Sequence, residues 1–296
     1  MPNELLPACP VCHSPDLRDK QQVPDKSVSQ ETFTIQQCAG CGLLLTNPRP
    51  DVASIGRYYE SANYVSHNAA AQGLVNQVYK VARAFTVRRK VKLITRLNGG
   101  RAGRLLDYGC GTGHFLAGAK GAGWQVVGIE PNPAARADAS TRVGQPISEP
   151  VELAYLPVAG FDVVTLWHVL EHVHALNDTL TQLLRVLAPG GRLLVAVPNA
   201  ASADARHYGP DWAAYDVPRH LYHFTPATMR ELLGRHGLRV TQQLPLPLDA
   251  YYVSLLSESQ RLDGGRLAAV RAGYYSNRQA AQHGGNYSSV LYVAER

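Results

Sequence analysis

The stretch Leu105–Leu116, reading Leu-Leu-Asp-Tyr-Gly-Cys-Gly-Thr-Gly-His-Phe-Leu, constrains this chain more than any other. Two apolar residues run into Asp107, glycines alternate at Gly109, Gly111 and Gly113, and apolar residues resume at Phe115. That order predicts a buried strand, a tight turn and a helix whose N-terminus faces a ligand. Glycine suits such a turn because it reaches positive φ without strain and lets a ligand approach the backbone. The next apolar run, Val126–Ile129, ends in Glu130. An acid at the end of the second strand is placed to take both ribose hydroxyls of an adenosine.

Length and composition narrow the class. The 296 residues suit one or two domains with ample core, and a 45% hydrophobic content is ordinary for a soluble globular chain. No apolar run approaches the ~18 residues of a membrane span, and the N-terminus lacks a basic-then-apolar leader pattern. A cytoplasmic protein without membrane contact is the expectation. The net charge of +6 is local: nine basic residues and no acidic one lie between Glu60 and Asp107, and without those nine the chain would carry −3.

Four of the five cysteines form two C-x-x-C pairs, Cys9–Cys12 and Cys38–Cys41. Two such knuckles some 25 residues apart fit a tetrahedral thiolate site holding one structural zinc ion. Four reduced cysteines, or a redox pair, are the other arrangement this pattern permits. The alternation over Thr32–Gln37 predicts a ribbon strand leading into the second knuckle. Residues 1–50 thus read as a zinc-ribbon-like module too small to fold on its own core. Tyr58, Tyr59 and Tyr64 follow, suited to packing the ribbon or to closing over a ligand.

Residues 51–98 read as a basic amphipathic linker or lid, with apolar residues from Leu74 to Ile94 at three- and four-residue steps. From residue 99 to 296, strands and helices alternate with short connections. Strands are expected at Arg104–Tyr108, Gln125–Glu130, Phe161–Leu166, Arg192–Pro198, Leu238–Leu244 and Tyr287–Val293, with a weaker segment near Pro146–Tyr155. Helices are expected at Phe115–Ala122, Pro133–Arg142, Ala175–Leu187 and Pro226–His236, with a turn at Pro189-Gly-Gly191. The rhythm predicts an α/β fold with a doubly wound sheet.

Asp107-x-Gly-x-Gly-x-Gly with Glu130 resembles motif I and the acidic loop of class I S-adenosylmethionine-dependent methyltransferases. Phe161–Val173 and Leu187–Asn199 look like the later motifs of the small-molecule members. The ribbon in front is similar to that preceding sugar C-methyltransferases, which usually carry a further C-terminal domain that this chain is too short to hold. The resemblance implies a seven-stranded Rossmann-like sheet with S-adenosylmethionine as cofactor. It places Asp107 near the cofactor's amino group, the Gly109–Gly113 turn around its methionyl end, Glu130 on the ribose, and Trp167 and His168 beside it. The acceptor it implies is a small molecule or glycan-like metabolite. An RNA acceptor held by ribbon and basic helix is a second reading, and a non-catalytic cofactor- or partner-binding protein a third.

Two further clusters carry chemistry. On a helix, His168, Glu171 and His172 would share a face; a second cation site and a structural Glu171–His172 pair are the two readings. The stretch Trp212–Phe224 gathers Asp216, Arg219, His220 and His223, an unusual density for a structural loop. One reading makes it an acceptor wall in which Arg219 binds an anionic or hydroxylated acceptor and His220 or His223 is the base. The other has Asp216 and Arg219 pair to hold the loop while the histidines cap the helix near Pro226.

Overall fold

The structure, a computed structural model, describes residues 3–59, 74–261 and 263–296. In chain order the strands are β1 (Asn3–Glu4), β2 (Leu17–Pro24), β3 (Thr32–Cys38), β4 (Leu44–Thr46), β5 (Arg49–Pro50), β6 (Arg104–Tyr108), β7 (Gln125–Ile129), β8 (Phe161–Trp167), β9 (Leu187–Pro198), β10 (Tyr222–His223), β11 (Arg239–Pro245) and β12 (Ser289–Glu295). The α-helices are α1 (Leu74–Leu97), α2 (His114–Gly121), α3 (Pro133–Val143), α4 (Leu176–Val186), α5 (Ala203–Tyr208), α6 (Pro226–Arg235), α7 (Pro247–Ser259) and α8 (Arg266–Gln282). No described helix is long and apolar enough to cross a membrane. Tyr64 lies outside the described residues.

Packing divides the chain into two compact units that do not follow sequence order. One comprises Met1–Asn68, Leu170–Leu176 and Ala196–Leu291; the other comprises Ala69–Val169, Asn177–Val195 and Tyr292–Arg296. Strands β9 and β12 contribute residues to both.

In the first unit, β2, β3 and β4 form an antiparallel ribbon, and β10 adds to its edge in the order β10-β4-β3-β2. Tyr222 pairs with Leu45 and His223 with Leu44. The stretch read from sequence as a single loop therefore contributes a strand to the cysteine-bearing sheet. Below it, Phe33, Ile35 and Leu44 pack with Tyr58, Trp212, Tyr215 and Val217 in one buried cluster. A ribbon this small has too little apolar area of its own, and the shared cluster supplies what it lacks.

In the second unit, β6 lies between β7 and β8 and is parallel to both. The wider sheet has six strands in the order β11-β12-β9-β8-β6-β7, one fewer than the seven expected. The segment near Pro146 contracts to a single bridge between Ile129 and Ser148 before a 3-10 turn begins at Pro150. Prolines at 146 and 150 leave three residues between them, and neither proline can donate to a ladder. Strand β9 starts at Leu187, so the expected Pro189-Gly-Gly191 turn lies inside a strand, where Gly190 at φ +75° absorbs the kink. Helix α1 is one continuous helix; Val91 and Ile94 are buried while Phe85 stays exposed.

Candidate functional site

The β6–α2 turn carries the densest chemistry of the second unit. Asp107, the fourth residue of β6, sits opposite Thr165 of β8, and the Thr165 hydroxyl donates to Asp107 Oδ1 at 2.6 Å. Burial pushes the Asp107 carboxyl up to about 7, against the pull of that hydrogen bond and of the Lys90 charge. Gly109, Gly111 and Gly113 all have positive φ. At Gly109 a Cβ would stand 2.4 Å from Val169 Cγ2, whereas at Gly111 it would meet nothing within 4 Å. The first glycine is required by packing; the second borders open space.

Glu130 closes the turn from the neighbouring strand end. Its Oε2 accepts the Gly111 N–H at 2.8 Å and its Oε1 the Asn132 N–H at 2.9 Å. Burial raises its carboxyl above the usual range, and these two N–H groups hold it down. Each oxygen keeps a second lone pair for a ligand hydroxyl. At the end of β8, Trp167 meets Phe115 edge to face at 5.5 Å, and Lys90 Nζ lies 3.9 Å from the Trp167 ring centroid. His168 follows at φ +57°, a conformation uncommon for a residue with a side chain. Sequence reasoning passed over Thr165 and Lys90. Thr165 is exposed only by strand register, and Lys90 is one of nine basic residues between Glu60 and Asp107 with nothing local to single it out.

In the first unit the four cysteines converge. One sulfur of each of Cys9, Cys12, Cys38 and Cys41 lies within 4.8 Å of the others, with Cys9–Cys41 at 3.6 Å and Cys12–Cys38 at 3.3 Å. The two knuckles share one turn geometry: His13 N–H donates to Cys9 O, and Gly42 N–H to Cys38 O, each at 2.9 Å. His13 at φ +62° and Gly42 at φ +80° occupy the same position after their second cysteines. Backbone N–H groups of Val11 and Cys12 approach the Cys9 sulfur, and those of Gly40 and Cys41 the Cys38 sulfur. Tyr58 is buried and donates to Glu31 at 2.7 Å, a packing role; Tyr59 Oη lies 3.0 Å from His172 Nδ1.

The stretch Trp212–Phe224 is almost wholly buried, and its charges are spoken for. Arg219 donates to both oxygens of Asp216, to Asp25 Oδ1 and to Tyr58 O. This pairing favours the reading in which Asp216 and Arg219 hold the loop. His223 Nε2 lies 3.1 Å from Thr46 Oγ1, and burial pushes its pKa down to about 3, a poor proton acceptor near neutral pH. Helix α6 is capped by Thr225 with Thr228, not by a histidine. His220 keeps a chemical role open: one of its ring nitrogens, one of His172 and a Glu171 oxygen lie within 4.8 Å of one another. His168 is not a member of that group.

Comparison with known proteins adds an independent line. The family model described as "Methyltransferase domain" matches residues 81–243, more than half of the chain. A protein of Mycolicibacterium smegmatis described as a probable S-adenosylmethionine-dependent methyltransferase is 30% identical over 163 residues, 54% of this chain and 62% of its own length. The malonyl-[acyl-carrier protein] O-methyltransferase of Serratia marcescens is 30% identical, covering 58% of this chain and 73% of its own length. The 27-O-demethylrifamycin SV methyltransferase of Amycolatopsis mediterranei is 32% identical over 54% of this chain and 65% of its own length. The match thus spans about three fifths of the first relative. Among solved structures, magnesium protoporphyrin IX methyltransferase from Synechocystis, with bound SAH, aligns at a TM-score of 0.53 and 17% identity, covering 83% of this chain and all of that one. This last likeness concerns the fold alone.

Proposed function

The chain belongs to the methyltransferase-domain family, and from that premise we propose that it transfers a methyl group from S-adenosylmethionine to an oxygen of a small-molecule acceptor. The observation that carries the reading is the pairing of Glu130 with the glycine turn. A buried carboxylate accepts from Gly111 and Asn132 beside open space at Gly111, which suits a nucleoside with two vicinal hydroxyls. Asp107 would take the ligand's ammonium group, the Gly109–Gly113 turn its methionyl chain, and Trp167 and His168 would flank it. Once bound, the cofactor supplies a methyl group on a sulfonium sulfur, ready for in-line displacement. The residues of this chain align and shield that reaction, for which orientation is the main catalytic contribution.

The relatives named as methyltransferases of rifamycin and malonyl-carrier substrates support a metabolite acceptor and, in the second case, oxygen as its atom. Labelled-methyl transfer into cell extract, fractionated into nucleic acid, protein and small metabolites, tests this. Label in the small-metabolite fraction is expected; label confined to nucleic acid would overturn the acceptor class.

We also propose that Cys9, Cys12, Cys38 and Cys41 hold one structural zinc ion. Four thiolates around zinc, with bonds of about 2.3 Å, stand roughly 3.8 Å apart. The observed sulfur pairs at 3.6 and 3.3 Å fit that cage with small adjustments.

A further inference from the structure

The short turn Leu170–His172 is tied to residues 219–221 by two hydrogen bonds. Leu221 N–H donates to Glu171 O at 2.7 Å, and His172 Nδ1 lies 3.0 Å from Arg219 O. A carbonyl only accepts, so the His172 Nδ1 contact with Arg219 O selects a ring hydrogen on Nδ1, which the Tyr59 hydroxyl oxygen, also 3.0 Å from that nitrogen, can share as acceptor. The same selection holds at His220, whose Nδ1 lies 2.8 Å from Ala214 O. With the ring hydrogen on Nδ1, Nε2 of each imidazole is the lone-pair nitrogen. That is the state of a metal-binding imidazole whose other nitrogen donates to a backbone carbonyl. The two rings stand edge to face with centroids 4.6 Å apart, and a Glu171 carboxylate oxygen completes a set within 4.8 Å. Glu171 and His220 are buried, and His172 is partly buried.

We propose that Glu171, His172 and His220 bind one divalent transition-metal cation at a site separate from the cysteine cluster. Two imidazoles and one carboxylate form the mixed donor set of iron(II), cobalt(II) and zinc(II), in contrast to the oxygen-only sets of magnesium and calcium. Such cations hold tetrahedral nitrogen and oxygen ligands roughly 3.4 Å apart, so side-chain rotations of about an ångström close the set. Three protein ligands leave coordination positions for oxygen ligands, either water or a hydroxyl-bearing small molecule. The competing arrangement is a direct contact between His220 Nε2 and Asp216 Oδ2, now 3.9 Å apart. It predicts no metal uptake.

The test is zinc stoichiometry on the full chain, loaded with zinc and desalted, for wild type, Glu171→Gln and His220→Ala. The cysteine cluster is common to all three proteins, so whatever it holds cancels. The expected result is one equivalent less in each folded variant than in wild type. Equal stoichiometry in wild type and a folded variant overturns the site. Should both variants fail to fold, cobalt(II) added to zinc-filled wild type decides. Visible d–d bands without thiolate charge transfer support a nitrogen–oxygen site, and their absence at one added equivalent overturns it.

Discussion

Arg219 Nη2 donates to Asp25 Oδ1 at 3.0 Å across 194 residues of sequence, with the two side chains 1% and 0% exposed. Asp25 also accepts from the backbone of Ser27 and Ser29, and Asp216 clamps the guanidinium from the other side. Arg219→Ala would remove the partner of the buried Asp25 carboxylate and of the partly buried Asp216, and breaking a buried pair by removing one partner costs about 3–5 kcal/mol. Chemical denaturation should show a midpoint shift of that size. An unchanged midpoint would reject the structural role given to Arg219 here.

The turn separates two neighbouring residues by role. Gly109→Ala puts a methyl against Val169 at a φ of +75°, and the strain and overpacking together should cost at least about 1–2 kcal/mol. Cys110→Ala leaves the backbone donors in place and should bind S-adenosylmethionine as wild type does. Thermal melting combined with a cofactor titration checks both. Cofactor affinity lost in Cys110→Ala would show that the thiol, and not the main chain, serves the ligand.

Asp107 makes both stability and binding depend on pH. Its folded value of about 7 lies above the unfolded one, so its contribution to stability is complete below about 4 and declines as pH rises from there to about 7. A cationic ligand at the carboxylate has the opposite preference. Affinity for S-adenosylmethionine should increase as pH rises through about 7, with a proton released on binding. Calorimetry in buffers of differing ionisation enthalpy reads that proton directly. Flat affinity between about pH 6 and 8, with no proton release, would remove Asp107 from the cofactor pose.

Cys38→Ser should abolish zinc binding at the knuckles. Because Tyr222 and His223 pair with Leu45 and Leu44 of the same sheet, the damage should reach beyond the N-terminal segment. Hydrogen exchange should show lost protection at residues 222–223 as well as in β2 and β3. Wild-type protection without bound metal would mean that the ribbon stands on its own packing.

Motifs whose chemistry is local were legible in the sequence. The Asp107–Gly113 turn and Glu130 announce themselves because few residue types tolerate that backbone, and the four cysteines because thiolate ligands come at fixed spacing. What escaped depends on contacts between distant segments. Nothing near Arg219 marks Asp25 as its partner, and Leu45 carries no sign of pairing with Tyr222. Thr165 meets Asp107 only through strand register. The density of polar residues in Trp212–Phe224 was a true signal of burial, but burial served Arg219 and His223 as structure and left only His220 beside Glu171 and His172. Proline chemistry explains the lost strand: the prolines at 146 and 150 cannot donate to a ladder, and the run between them is too short to pair on its own.

The central claim is that Glu130 and the glycine turn hold S-adenosylmethionine. Calorimetric titration of wild type and Glu130→Ala tests it most directly. The account predicts one site per chain in wild type. In a folded Glu130→Ala it predicts a loss of about 1.5–3 kcal/mol, roughly ten- to 150-fold in affinity, for hydrogen bonds to a charged group. No binding by wild type, or equal affinity in the two proteins, would contradict it.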